Sequence, residues 1–199
     1  PRFSTGFNVQ SNRVRFRLQE KDSIARDLVL EISNPFIPDL ECGLFYGDGE
    51  EKVFPATGSS QPFRKRPELY RYFHFPIHLD PGEAVPVVLK VNGNGGNVRM
   101  PIQLWEAQAL QAERRGRLTF LSIYFCVMAV ILIFGSFILA VIKTEFGGQY
   151  LAYTLAVTGM VAAFSGFGYQ YLWPWSPYLQ DAAAPLLANA SLLAGFGLM

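Results

Sequence analysis

Charge is scarce in the C-terminal part of this chain. Between Leu118 and Met199 only Lys143, Glu145 and Asp181 are formally charged, whereas 16 of the 17 Lys and Arg and 14 of the 16 Asp and Glu lie at or before Arg117. Soluble domains carry about a quarter charged residues, so this stretch is not an ordinary water-facing fold. Cysteine is also rare. Cys42 and Cys126 fall in unlike surroundings, which excludes a disulfide framework and leaves two free thiols acting as small apolar residues. A net charge of +1 argues against a nucleic-acid binder, which needs a basic face to displace counterions. Nucleophile elbow, phosphate loop and zinc-ligand spacing are all missing, so the chain is read as non-enzymatic, without cofactor or metal. No Asp, Glu, Lys, Arg or His lies inside an apolar span, and nothing suggests an ion path or proton relay.

What the C-terminal part does contain is length and apolarity. Leu118–Ile142 is uncharged and as a helix spans about 37 Å, enough to cross a hydrocarbon core of about 30 Å. A second span is expected at about 150–171, and a third, truncated one at 182–199. Ala152, Ala156, Gly159, Ala163 and Gly166 recur at helical spacing on the second, where backbones can pack closely. Between the last two, Trp173, Trp175 and Tyr178 suit the headgroup level. Pro1 and the apolar end at Met199 are read as cut points in a longer protein.

Before residue 112 the pattern has period two. Val14, Phe16 and Leu18 alternate with Arg13, Arg15 and Arg17, and similar sets run Leu28–Ile32, Leu40–Tyr46, Phe73–Leu79, Val85–Val91 and Val98–Leu104. Such alternation marks strands with one buried and one wet face. Asn34-Pro35, Gly47-Asp48-Gly49 and Asp80-Pro81-Gly82 supply turns. The fold class is therefore an all-β jelly-roll or β-sandwich soluble domain, residues 1–112, followed by α-helical transmembrane segments, residues 113–199. Trp105–Arg117 is expected to be helical and to run into the first span.

Candidate binding residues cluster between Phe63 and His74. Arg64, Arg66 and Arg71 mix with Tyr70, Tyr72 and His74, and an outward Trp105 adds another platform. Guanidinium forks beside aromatic faces suit sugars or carboxylates; a solvated basic turn is the alternative. His74 and His78 fall on one strand face about 13 Å apart, too far to share a metal, and are read as surface histidines. The acidic tip Asp48–Glu51 could attract calcium but is explained equally well as a solvated hairpin end.

Several stretches carry a family resemblance: VRFRL at Val14, LVLEISNP at Leu28, LFYGDGE at Leu44, FRKRPELYRYFHFPIHLDPGE from Phe63, VPVVLKV at Val85, MPIQLWEAQAL at Met100 and FGYQYLWP at Phe167. In this order, directly before an arginine-flanked apolar helix, they resemble the bacterial seven-transmembrane receptors with diverse intracellular signalling modules, in the version carrying the second type of extracellular domain. The resemblance implies a periplasmic sensor similar to carbohydrate-binding modules, a multi-pass inner-membrane location, and a cytoplasmic histidine kinase or diguanylate cyclase that this stretch lacks. Expected partners are membrane lipids and a small-molecule or glycan ligand, with a homodimer as an admissible assembly and no nucleic acid. It also sets an orientation that local charge leaves open. Arg114, Arg115 and Arg117 alone would favour the cytoplasm, but the resemblance puts the β domain outside. A membrane-anchored binding protein without signalling is the rival reading.

Overall fold

The computed structural model describes residues 2–7, 12–20, 23–47, 49–92, 97–142 and 147–197. The chain divides into two compact units, Pro1–Gln111 with Pro174–Pro177, and Ala112–Trp173 with Tyr178–Met199. Asp48 and the loop charges Lys143 and Glu145 lie outside the described residues.

In the first unit eight strands form: β1 (Arg2–Phe7), β2 (Asn12–Gln19), β3 (Arg26–Ile32), β4 (Asp39–Phe45), β5 (Glu51–Val53), β6 (Phe73–Leu79), β7 (Ala84–Asn92) and β8 (Asn97–Glu106). They pair into two four-stranded sheets, ordered β1-β8-β3-β6 and β2-β7-β4-β5, with antiparallel neighbours. Period-two alternation accounts for the inner faces. Leu28, Leu30 and Ile32 of β3, Phe73, Phe75, Ile77 and Leu79 of β6, and Val98, Met100 and Ile102 of β8 share one buried cluster with Leu40, Cys42 and Leu44 of β4 and Val85, Val87, Leu89 and Val91 of β7. Removing each such side chain from water contributes about 1.5–3 kcal/mol before conformational entropy is counted. Burial pushes the Cys42 thiol up to about 12, because a thiolate has no solvation there.

Local chemistry fixes several details. Pro76 lies on β6, one of the two edge strands of its sheet, where a missing N–H is tolerated. Gly82 adopts φ +73° in the turn between β6 and β7, a conformation that strains other residues. At Gly58 a Cβ would lie 1.8 Å from the Pro38 carbonyl oxygen, so only hydrogen fits. Leu104, grouped with the inward set on parity, is 42% exposed: the core ends at Ile102, and β8 carries its last two turns of pleat past it. Trp105 belongs to this strand, and the helix that was expected to include it starts at Ala107.

In the second unit α1 (Ala107–Ile142, entered from the first unit) is apolar on all sides from Leu118 onward, after a polar start that ends at Arg117. Phe120, Ile123, Val130, Ile133, Phe134, Phe137 and Val141 are all exposed. Among the described residues α1 is the helix long and apolar enough to cross a membrane, with a mean hydropathy of 3.0 over its most apolar 18 residues. A helix without a polar face needs an apolar surrounding. The second apolar stretch is not one helix. α2 (Gly147–Phe164) ends before Gly166, whose φ of +72° breaks the helix, and a π-helical turn at Gly168–Leu172 follows. α3 (Pro177–Phe196) starts five residues ahead of the expected span. Of the small-residue stripe, Ala156, Ala163 and Gly166 are buried, Gly159 faces Leu187, and Ala152 is exposed. Ala163 packs with Ala183 and Ala184 of α3, and Trp173 lies against them. Thr154 and Thr158 donate to the carbonyls of Tyr150 and Thr154, at 2.9 and 2.7 Å, which satisfies hydroxyls inside an apolar helix.

Candidate functional site

The segment between β5 and β6 is positioned by one arginine. Phe63–Lys65 forms a 3₁₀ turn, after which Arg66 turns inward and is 5% exposed. Its Nη1 donates to the carbonyl oxygens of Tyr70 and Arg71, and its Nη2 to that of Pro35. The guanidinium also lies 4.4 Å from the ring centroid of Phe73 and 5.0 Å from that of Phe63. A planar fork with five donors is suited to gathering carbonyls that no strand partner satisfies. Arg66 thus closes the loop Arg66–Arg71 on itself and ties it to the turn after β3.

The loop covers the outer face of the β3–β6 pair. Glu31 and His74 are cross-strand partners there, and both are buried, at 0% and 1% exposure. His74 Nε2 lies 3.0 Å from Glu31 Oε2, and His74 Nδ1 lies 2.9 Å from Glu68 Oε2. Ser33 Oγ donates to the other Glu31 oxygen. Each nitrogen–oxygen contact needs a proton between its atoms, so the imidazole and two carboxylates share two protons. Tyr70 stacks on the His74 ring with centroids 5.0 Å apart and planes at 22°, and Tyr72 meets Tyr70 edge-on at 5.8 Å. The expectation of a surface histidine is therefore corrected for His74. Alternation does place it on the outer face, but the loop folds over that face and dries it.

The other candidates divide. Arg71 is 3% exposed, with its guanidinium carbon 5.7 Å from the Tyr70 ring centroid and 5.1 Å from that of Tyr72. Tyr72 is half-buried and Arg64 is exposed. Trp105 sits on β8 opposite Val29 of β3, one pleat along from the Glu31 position; it is partly buried and its Nε1 has no hydrogen-bond partner. Arg66, Tyr70, Arg71, Tyr72 and His74 are thus brought together, while Arg64 faces solvent and Trp105 stands two strands away from His74 in the same sheet. His78, on the same strand face, is exposed and pairs with Asp27 at 2.7 Å and Asp80 at 3.5 Å. Donating a hydrogen bond to the Asp27 carboxylate raises its pKa above the usual 6.5. Among the described residues no cluster suited to a metal occurs.

Glu31, Ser33 and Glu68 were missed from the sequence. Glu31 reads there as an ordinary wet-face residue of a strand. Its role depends on β3 pairing with β6 across more than forty residues, a register that no local pattern discloses.

The chain is thus a two-sheet β unit with an elaborated loop over one outer face, followed at once by a long apolar helix. Residues 1–106 match the family described as 7TMR-DISM extracellular 2, and the chain belongs to it. The match ends at Glu106, the last residue of β8. No curated protein is similar enough in sequence to count as a match. Family and helix together make this a membrane protein whose N-terminal domain is a receptor sensor on the extracytoplasmic side, a sensory role for residues 1–106.

Proposed function

We propose that the β unit binds a small extracellular ligand, carbohydrate-like or carboxylate-bearing, at the face formed by the Phe63–Tyr72 segment, and that binding is relayed through α1. The observation carrying this reading is the loop itself. A buried arginine and the Glu31–His74–Glu68 cluster, of which Glu31 and His74 are buried, hold it in place, which leaves the exposed Arg64 and the partly buried Tyr72 and Trp105 to meet a ligand, with the Arg71 guanidinium packed against the Tyr72 ring behind them. Preorganised loops on a rigid scaffold are where recognition residues concentrate. The strand orders β1-β8-β3-β6 and β2-β7-β4-β5 support a jelly roll, the double Greek key also used by lectin domains. In this reading α2 and α3 join α1 as further spans of a multi-pass inner-membrane protein. The direct succession of β8 by α1, at Glu106 and Ala107, supports the relay, since no loop intervenes to absorb a displacement.

Two experiments test this. A thermal-shift screen of the full chain in nanodiscs against sugars and carboxylates should yield a ligand whose effect is weakened by Tyr72→Ala or Arg64→Ala; undiminished binding in both variants rejects the site. In a receptor carrying its output module, a Gly/Ser insertion after Ala112 should uncouple ligand from output, and an unchanged response rejects the relay.

A further inference from the structure

Two arginines of the Phe63–Tyr72 segment are almost equally buried but differently engaged. Arg66 donates to three backbone carbonyls. Arg71, 3% exposed, has a fully buried Nε without a hydrogen-bond partner, and no carboxylate pairs with it among the described residues. The nearby acids Glu31 and Glu68 face the His74 imidazole instead. An arginine does not shed its proton in a protein, so this burial withdraws most of a positive charge from water without a counter-ion, Nε being the guanidinium nitrogen that is fully buried and unpartnered. The ring faces of Tyr70 and Tyr72, at 5.7 and 5.1 Å, offset only part of that cost. For folding alone, an apolar side chain of similar volume would serve better at this position.

We infer that Arg71 is the anion-recognition residue of the sensor, and that the natural ligand carries a carboxylate. This rests on the reading of the segment as a ligand site and narrows it. The ligand carboxylate supplies the missing counter-charge and accepts paired hydrogen bonds from the guanidinium fork, while the half-buried Tyr72 ring offers a face to a sugar ring or aliphatic body. Neutral sugars lack the group that the site is short of. Rejection of a ligand that leaves a buried charge unpaired is stronger than rejection by shape.

The test uses the full chain in nanodiscs with galacturonate, glucuronate and succinate as acidic probes and galactose and glucose as neutral ones. At least one acid should bind, by calorimetry and by a raised melting temperature, with its neutral counterpart at least about 30-fold weaker. Arg71→Met should lose that binding by a similar factor, yet melt at or above the unliganded wild type. Arg71→Lys, which keeps the charge without the fork, should retain part of the affinity. Acid binding that survives Arg71→Met, or equal binding of a neutral sugar, overturns the inference while leaving the ligand site standing. If no acid binds, the inference fails whatever the stability of the variants; if no probe of either kind binds, the ligand-site reading fails with it.

Discussion

Replacing His74 by alanine tests how the loop is held. The substitution leaves the Glu31 carboxylate, 0% exposed, without the imidazole that faces it at 3.0 Å. Leaving a buried polar group without its hydrogen-bond partner costs about 1–3 kcal/mol, and more where that group is charged. Ser33 still donates to Glu31, so a cost of about 3 kcal/mol is expected. For a unit of this size that corresponds to a fall in melting temperature of roughly 10 °C or more. Glu68, whose side chain is 41% exposed, provides the contrast: Glu68→Gln should cost no more than about 1 kcal/mol. A double-mutant cycle with Glu31→Leu and His74→Leu isolates the pair, and the double variant should be more stable than the sum of the singles requires, by about 1 kcal/mol or more. The assay is thermal or urea unfolding of the β unit in the full chain, followed by tryptophan fluorescence and near-ultraviolet circular dichroism. A His74→Ala cost smaller than that of Glu68→Gln, or strict additivity in the cycle, would refute the reasoning.

Three further outcomes follow from the same structure. Gly58→Ala drives a Cβ to 1.8 Å from the Pro38 carbonyl oxygen, a backbone clash that no rotamer relieves, and should destabilise by about 3 kcal/mol or more in urea titration; a neutral result contradicts the geometry around Gly58. Cys42, with its thiol pushed up to about 12 by burial, should react with iodoacetamide at pH 8 only as fast as the β unit unfolds, and labelling of the native chain at a free thiol's rate contradicts that burial. His78 has a pKa raised mainly by its hydrogen bond to Asp27. Stability from that pair is therefore present below the ordinary histidine pKa and is lost as pH rises through the raised one. Asp27→Asn should move the His78 midpoint down toward 6.5 in an NMR titration, and an unmoved midpoint rules out Asp27 as the cause.

The sequence made the inner faces of the sheets legible because burial on one side of a strand is a local signal, carried by every second residue from Val85 to Val91 and from Phe73 to Leu79. It did not disclose β1 or β5. β5 is three residues long with an exposed pattern, and alternation cannot be seen over so few positions. The apolar helix was legible for the same reason as the sheets, since from Leu118 onward its whole surface is apolar. The break at Gly166 was not, because glycine in an apolar run reads equally well as close helix packing. The candidate site was half legible. Clustering of arginine and tyrosine from Phe63 to His74 marked the segment, but which arginine binds backbone and which is left without a partner depends on the carbonyls of Pro35, Tyr70 and Arg71. Glu31 gave no sign at all, since its partner His74 arrives through strand pairing rather than through neighbouring sequence.

The most direct test of the account is hydrogen exchange of the full chain in nanodiscs, with and without the sugar or carboxylate that gives the largest thermal shift. If the Phe63–Tyr72 segment is the sensor's ligand site, amides from Phe63 to His74 should exchange more slowly when the ligand is bound, and Arg71→Met should abolish that protection. Protection confined to the β2-β7-β4-β5 sheet, with Phe63–His74 unchanged, would contradict it.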